Sequence, residues 1–149
     1  MRFFCPRCWS DFPNDVTSCP DCGLDIPAYW RGKDYVGKLT AALKHPETET
    51  VIRAATILGD LHEKAAVKDL IEILAATSNV YVACAAVIAL GRIGTPRARK
   101  FLAGVSRDHP ANMVRDAARA WSEIQTDNTS SREKNPPAKD SLGRRARRP

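Results

Sequence analysis

Four cysteines in two C-x-x-C pairs, Cys5 with Cys8 and Cys19 with Cys22, are the residues of this chain whose type and spacing can do chemistry. A C-x-x-C turn brings two thiolates to one cation while backbone N–H groups point at the sulfurs. Each pair carries a proline, Pro6 or Pro20, after its first cysteine, which fixes φ for that turn. Gly23 follows the second pair, where a left-handed residue completes the turn. The ten residues between Cys8 and Cys19, among them Phe12-Pro13-Asn14-Asp15, suit a short hairpin that returns one pair to the other. Four thiolates in a tetrahedral array leave no open position, so the expected chemistry is one structural Zn²⁺. Such a site contributes about 10–16 kcal/mol of apparent folding energy in small zinc modules. So short a segment needs it, because it cannot bury enough surface alone. A single iron is the alternative occupant.

The remaining reactive residue types offer less. Cys84 lies among alanines and valines and reads as a small core residue. His45, His62 and His109 fall in expected inter-helix turns. No nucleophile–base motif, phosphate-binding glycine loop or paired acid stands out, so the chain is not expected to be an enzyme.

The elements that position these residues follow from pattern. The chain has 149 residues and lacks both a secretory signal pattern and an apolar run of the ~18 residues a membrane span needs. Paired cysteines in an unsecreted chain read as metal ligands rather than disulfides, and a cytoplasmic location follows by elimination. A small ribbon is expected over residues 1–30. From Lys33 onward apolar and small residues recur at helical spacing, giving expected helices near 34–45, 47–60, 63–76, 79–92, 95–107 and 110–125. Glycine is expected to close the second and fourth, at Gly59 and at Gly91 or Gly94, and Thr95-Pro96 to open the fifth. An offset of 32 residues superposes Leu58-Gly59 on Leu90-Gly91, Ala54 on Ala86 and Ala118, and Leu70 on Leu102. The expected fold is therefore mainly α: a short α-solenoid of about two and a half repeats over residues 33–125, preceded by the β ribbon. Helix 79–92 is apolar nearly all round and should be its most buried element. Residues 126–149 are polar and proline-containing and are expected to form a disordered basic tail.

Two resemblances attach to these patterns. The segment FCPRCWSDFPNDVTSCPDCG resembles the short zinc ribbons at the N-termini of many bacterial proteins, except that Trp9 stands where those modules usually have glycine. The segments TVIRAATILGDLHEKAAVKDLIEIL and VYVACAAVIALGRIGTPRARKFLAGV resemble HEAT-type repeats of the phycobilisome-lyase-like class. That class includes bilin lyases, but most members are scaffolds, and the resemblance implies fold rather than activity. Tyr29 and Trp30 are expected to pack the ribbon onto the open N-terminal edge of the array.

Charge suggests where a partner would meet the chain. The net charge of +6 concentrates in the C-terminal part, with Arg92, Arg97, Arg99, Lys100, Arg107, Arg115 and Arg119 between residues 92 and 119. Lys68 shares a repeat position with Lys100, and Arg97 and Lys100 can share a helix face. The last residues add Arg144, Arg145, Arg147 and Arg148. These features point first to a non-catalytic adaptor that meets an acidic protein through Lys68, Arg97, Lys100 and the terminal arginines. They point second to a nucleic-acid-binding protein, and third to a repeat-based lyase or glycosylase-like enzyme.

Overall fold

The structure is a computed structural model that describes residues 2–134. Strands β1 (Phe3–Phe4) and β2 (Asp11–Phe12) pair antiparallel, with Phe3 opposite Phe12. Arg2 closes this edge on Asp11 at 2.9 Å. Cys5, Phe12 and Cys19 form a small buried cluster against Phe3, Val16, Leu24 and Ile26. A short helix, α1 (Ile26–Arg31), follows. It was not anticipated, although Asp25 caps it by accepting the Ala28 N–H at 2.8 Å and Pro27 sits in its first turn.

The array comprises α2 (Tyr35–Ala42), α3 (Thr48–Asp60), α4 (Val67–Ala76), α5 (Val80–Ile93), α6 (Pro96–Asp108) and α7 (Asn112–Lys134). Helices α3, α5 and α7 stack side by side as one layer, while α2, α4 and α6 form the second. The 32-residue offset maps each helix onto the next in its own layer. The expected helices are all present, but the first turn of the third is the 3₁₀ segment Lys64–Ala66. Leu58, Leu70, Val87, Leu90 and Val114 are fully buried at the layer interface. As expected, α5 is the most buried helix, contributing Val82, Ala83, Ala85, Ala86, Val87, Ala89, Leu90, Gly91 and Ile93 to the core.

Of the glycines expected to close helices, Gly94 closes α5, whereas Gly59 does not close α3. Gly59 and Gly91 lie inside their helices. A Cβ on Gly59 would sit 2.8 Å from Ala89 Cα, and one on Gly91 would sit 2.3 Å from the Trp121 ring. Ala89 and Trp121 are one repeat apart, so both glycines make room for the next helix, Gly59 for its backbone and Gly91 for its indole ring. The caps come three residues later. His62 (φ 51°) and Gly94 (φ 62°) take the left-handed conformation at equivalent repeat positions. His62 N–H donates to the Gly59 carbonyl and Glu63 N–H to Leu58, the paired bonds of a Schellman turn. Thr95 caps α6 as expected, accepting the Ala98 N–H at 3.2 Å.

At the C-terminal end Val114 is buried and Trp121 packs against Gly91, whereas Met113 and Ile124 stay exposed. Helix α7 runs to Lys134, so residues 126–134 are helical where disorder was expected. No glycine or proline interrupts the chain after Pro110 until Pro136, which leaves the helix without a stop signal at 125. Arg144, Arg145, Arg147 and Arg148, and the rest of the expected tail, lie outside the described residues.

Ala86 is 1% exposed in the middle of this packing, and its repeat equivalents Ala54 and Ala118 are equally buried. Ala86→Asp is expected to destabilise the array by on the order of 3 kcal/mol or more, because a carboxylate there has no room and no counter-charge. Chemical or thermal melting checks this. Wild-type melting would contradict the packing at the centre of the array.

Candidate metal centre

The two C-x-x-C turns are built alike. Cys5 N–H donates to the Ser10 carbonyl and Trp9 N–H to Cys5, while Cys19 N–H donates to Leu24 and Gly23 N–H to Cys19. Each turn thus folds back around its first cysteine; the β1–β2 pairing closes the first turn at its base and the Ser18–Asp25 bridge closes the second, so the hairpin expected between the pairs lies instead around the first pair. The four Sγ atoms all lie within 4.8 Å of one another. Cys5 Sγ is 3.5 Å from Cys22 Sγ, and Cys8 Sγ is 3.6 Å from Cys19 Sγ. Tetrahedral metal–thiolate bonds of about 2.3 Å require sulfur–sulfur edges of about 3.8 Å, so the four thiols suit a metal ion. No disulfide forms among the described cysteines.

Local charge supports the same use. The Ser10 hydroxyl and backbone amide hold the Cys8 thiol down, to about 6. At Cys22 the Leu24 amide stabilises the thiolate, but desolvation and the neighbouring sulfurs outweigh it and push the thiol up to about 12. Four thiolates this close together repel one another, and a cation among them would offset that repulsion. Arg7 N–H also points at Cys5 Sγ, at 3.5 Å.

Trp9 is the irregular residue of the site. It holds φ 61° at the position where the second turn has Gly23 at φ 68°. A tryptophan in this conformation costs about 1–2 kcal/mol. Its indole packs edge-on against His45 at 5.3 Å, and Phe4 meets the same imidazole at 4.7 Å. His45 lies in the α2–α3 turn, so these rings join the ribbon to the array. The expected pair, Tyr29 and Trp30, meet edge-on at 5.0 Å beside this joint, with Lys33 over the Tyr29 ring and Tyr29 lining one groove with Trp9 and Val36. Burial lowers the His45 pKa, against the pull of Glu47, and its Nδ1 accepts the Glu47 N–H at 3.0 Å. His109 repeats the same turn bond to Ala111 N–H at 3.2 Å, so the shared His-Pro motif is a turn device. The sequence signal for Trp9 was present as a departure from glycine, whereas nothing in the sequence marked His45 as its partner.

The basic residues named from sequence divide into two sets. Arg92 pairs with Asp60, Arg99 donates to the Gly94 carbonyl, Arg115 binds the His109–Pro110 turn, and Arg119 pairs with Asp116. Lys68 pairs with Glu72 at 3.8 Å. Arg97 and Lys100 lie together on α6 at the rim of one groove and, like the exposed Arg107 further along α6, have no hydrogen-bond or ion-pair partner among the described residues. Cys84 is half-buried against the core, and burial raises its thiol.

Against known proteins, the family model for HEAT repeats matches residues 36–121. No curated protein and no solved structure matches the chain. No helix among the described residues is long and apolar enough to cross a membrane.

Because Trp9 combines backbone strain with a docking contact, two substitutions separate its roles. Trp9→Gly should keep the metal at least as well as the wild type, while Trp9→Ala should lose it more readily to a competing chelator, by a factor of roughly 5 for each kcal/mol of unrelieved strain. Both should expose the α2–α3 turn to protease. Equal metal retention by the two variants would show that φ at this position carries no strain.

Proposed function

The chain belongs to the HEAT-repeat family, and on that premise we propose that it is a non-catalytic adaptor, a zinc-bound ribbon fastened to one end of a short array that docks another protein. The observation that carries this is the closed set of four thiols at the end of the array. Cys5, Cys8, Cys19 and Cys22 would hold zinc as a structural ion, with no coordination position left for a substrate. Zinc suits the site better than iron because it gives the ribbon rigidity without redox chemistry. A reducing compartment such as the cytoplasm suits the free thiols. The small-residue pairs Ala54-Ala55, Ala85-Ala86 and Ala117-Ala118 support a place in the phycobilisome-lyase-like class, as a scaffold rather than a lyase.

The partner is a protein with acidic character. HEAT arrays offer extended helical faces to other proteins, and Arg97 and Lys100 are the cations this face leaves uncommitted. A nucleic-acid partner has less support, because Arg92, Arg99, Arg115 and Arg119 are engaged within the chain and do not form a free basic surface.

Purified protein should carry about one zinc per chain, and a strong chelator should unfold the ribbon. Cys5→Ser should lower metal content and destabilise residues 2–30, while Cys84→Ser should leave metal content unchanged. Metal analysis that finds iron, or no metal, contradicts the zinc assignment. Partner capture that survives nuclease treatment supports the adaptor, and capture abolished by nuclease contradicts it.

A further inference from the structure

Comparison of α4 with α6, one repeat apart, shows a change of chemistry on the same outward face. That face carries Ala65 of the 3₁₀ turn and Lys68, Asp69 and Glu72 of α4 in one repeat, and Arg97, Lys100, Phe101 and Gly104 of α6 in the next. In α4 the Lys68 ammonium is answered by Glu72 one turn on, at 3.8 Å. In α6 the residue equivalent to Glu72 is Gly104, so Lys100 has no such carboxylate. The residue equivalent to Asp69 is the half-buried Phe101. These positions line a groove of about 440 Å³ formed by Arg97, Lys100, Phe101, Gly104 and Val105 of α6 with Ile71 of α4.

Gly104 is the second observation. A glycine inside a helix destabilises it by about 0.5–1 kcal/mol relative to alanine. Gly59 and Gly91 make way for a neighbouring helix, and a Cβ on Gly37 would press on its cap Asp34 at 2.9 Å. Gly94 holds a positive φ. Gly104 has neither reason, since a Cβ there would meet nothing within 4 Å and its φ is not positive. The space above Gly104 is kept open, and nothing from this chain among the described residues fills it.

We infer that the α4–α6 groove binds an acidic amphipathic helical segment of a partner protein, whose apolar side chains lie on Phe101, Ile71 and Gly104 and whose carboxylates pair with Arg97 and Lys100. It rests on the adaptor function proposed above and names the docking site and partner chemistry. A partner carboxylate would take the place that Glu72 takes beside Lys68 one repeat earlier. The glycine lets the partner backbone approach the helix. The charge complement is two cations over an apolar floor, which selects acidic over basic amphipathic segments.

The test uses the full metal-loaded chain and a labelled synthetic helical peptide of leucine and glutamate, with two comparison probes: the same peptide with lysine for glutamate, and a labelled oligothymidylate. Gly104→Glu restores the α4 arrangement, improves helix propensity and should leave melting unchanged or raised. The leucine–glutamate peptide is expected to bind the wild type at least tenfold more tightly than the lysine peptide. Gly104→Glu and the double reversal Arg97→Glu with Lys100→Glu should each weaken it at least tenfold. Failure of the acidic peptide to bind, or equal binding by Gly104→Glu, overturns the inference. So does oligothymidylate binding that is lost in Gly104→Glu, because the groove then serves a nucleic acid. Nuclease-resistant capture of a protein partner undiminished by Gly104→Glu also overturns the groove while leaving the adaptor function standing.

Discussion

The contact of α3 with α5 at Gly59, where the α5 backbone passes, and of α5 with α7 at Gly91, where the Trp121 indole lies, is the constraint on which the rest of the array depends. A side chain at either glycine would push the first-layer helices apart and open the interface that buries Leu58, Leu90 and Val114. With that spacing fixed, the second layer has one place to sit. Helix α4 packs against α5, and α6 against α5 and α7, closing the core through Leu70 and Leu102. The ladder from Asp60 to Arg92, and the bond from the His62 ring to the Arg92 carbonyl at 2.8 Å, add register on the surface. They contribute modestly, since exposed ion pairs are worth about 0–1 kcal/mol.

Within this regular frame, the departures from the repeat are informative. Trp121 stands where Ala89 stands one repeat earlier, and its indole covers the end of α5 in place of a further repeat. His62 stands where Gly94 would relieve a left-handed backbone, and it uses its ring to bond the neighbouring repeat. Gly104 replaces the acid that neutralises Lys68, leaving an open basic groove. Trp9 replaces the glycine of the matching ribbon turn and supplies a contact between ribbon and array. At His62 and Trp9 a local preference of order 1 kcal/mol gives way to a contact elsewhere.

Much of this was legible in the sequence. The C-x-x-C spacing fixed which four thiols converge, and the 32-residue offset fixed the helices and the burial of Ala86. What was not legible depends on which atoms meet across the fold. Gly59 and Gly91 look like helix stops along the chain, and only the passing helices α5 and α7 show them to be contact points. Helix α1 was hidden inside a segment dominated by metal-ligand spacing, although Asp25 and Pro27 signalled it. Tyr29 and Trp30 were expected at the joint from their place at the boundary, but the contacts of Phe4 and Trp9 with His45 could not be read from the sequence. The end of α7 was misplaced because polar composition alone does not stop a helix.

These parts divide the labour of the molecule. The array carries its own core, whereas the ribbon has three buried residues, two of them candidate ligands, and would lean on a metal ion held by its four thiols. The two meet at the His45 turn. Hydrogen exchange of the full chain before and after metal removal tests this division most directly. Amides of residues 2–25 should lose protection on chelation, the Glu47 amide bonded to His45 should lose part of its protection, and those of α5 should keep theirs. Loss of protection in α5 in step with the ribbon would contradict it, because the metal would then be holding the array as well.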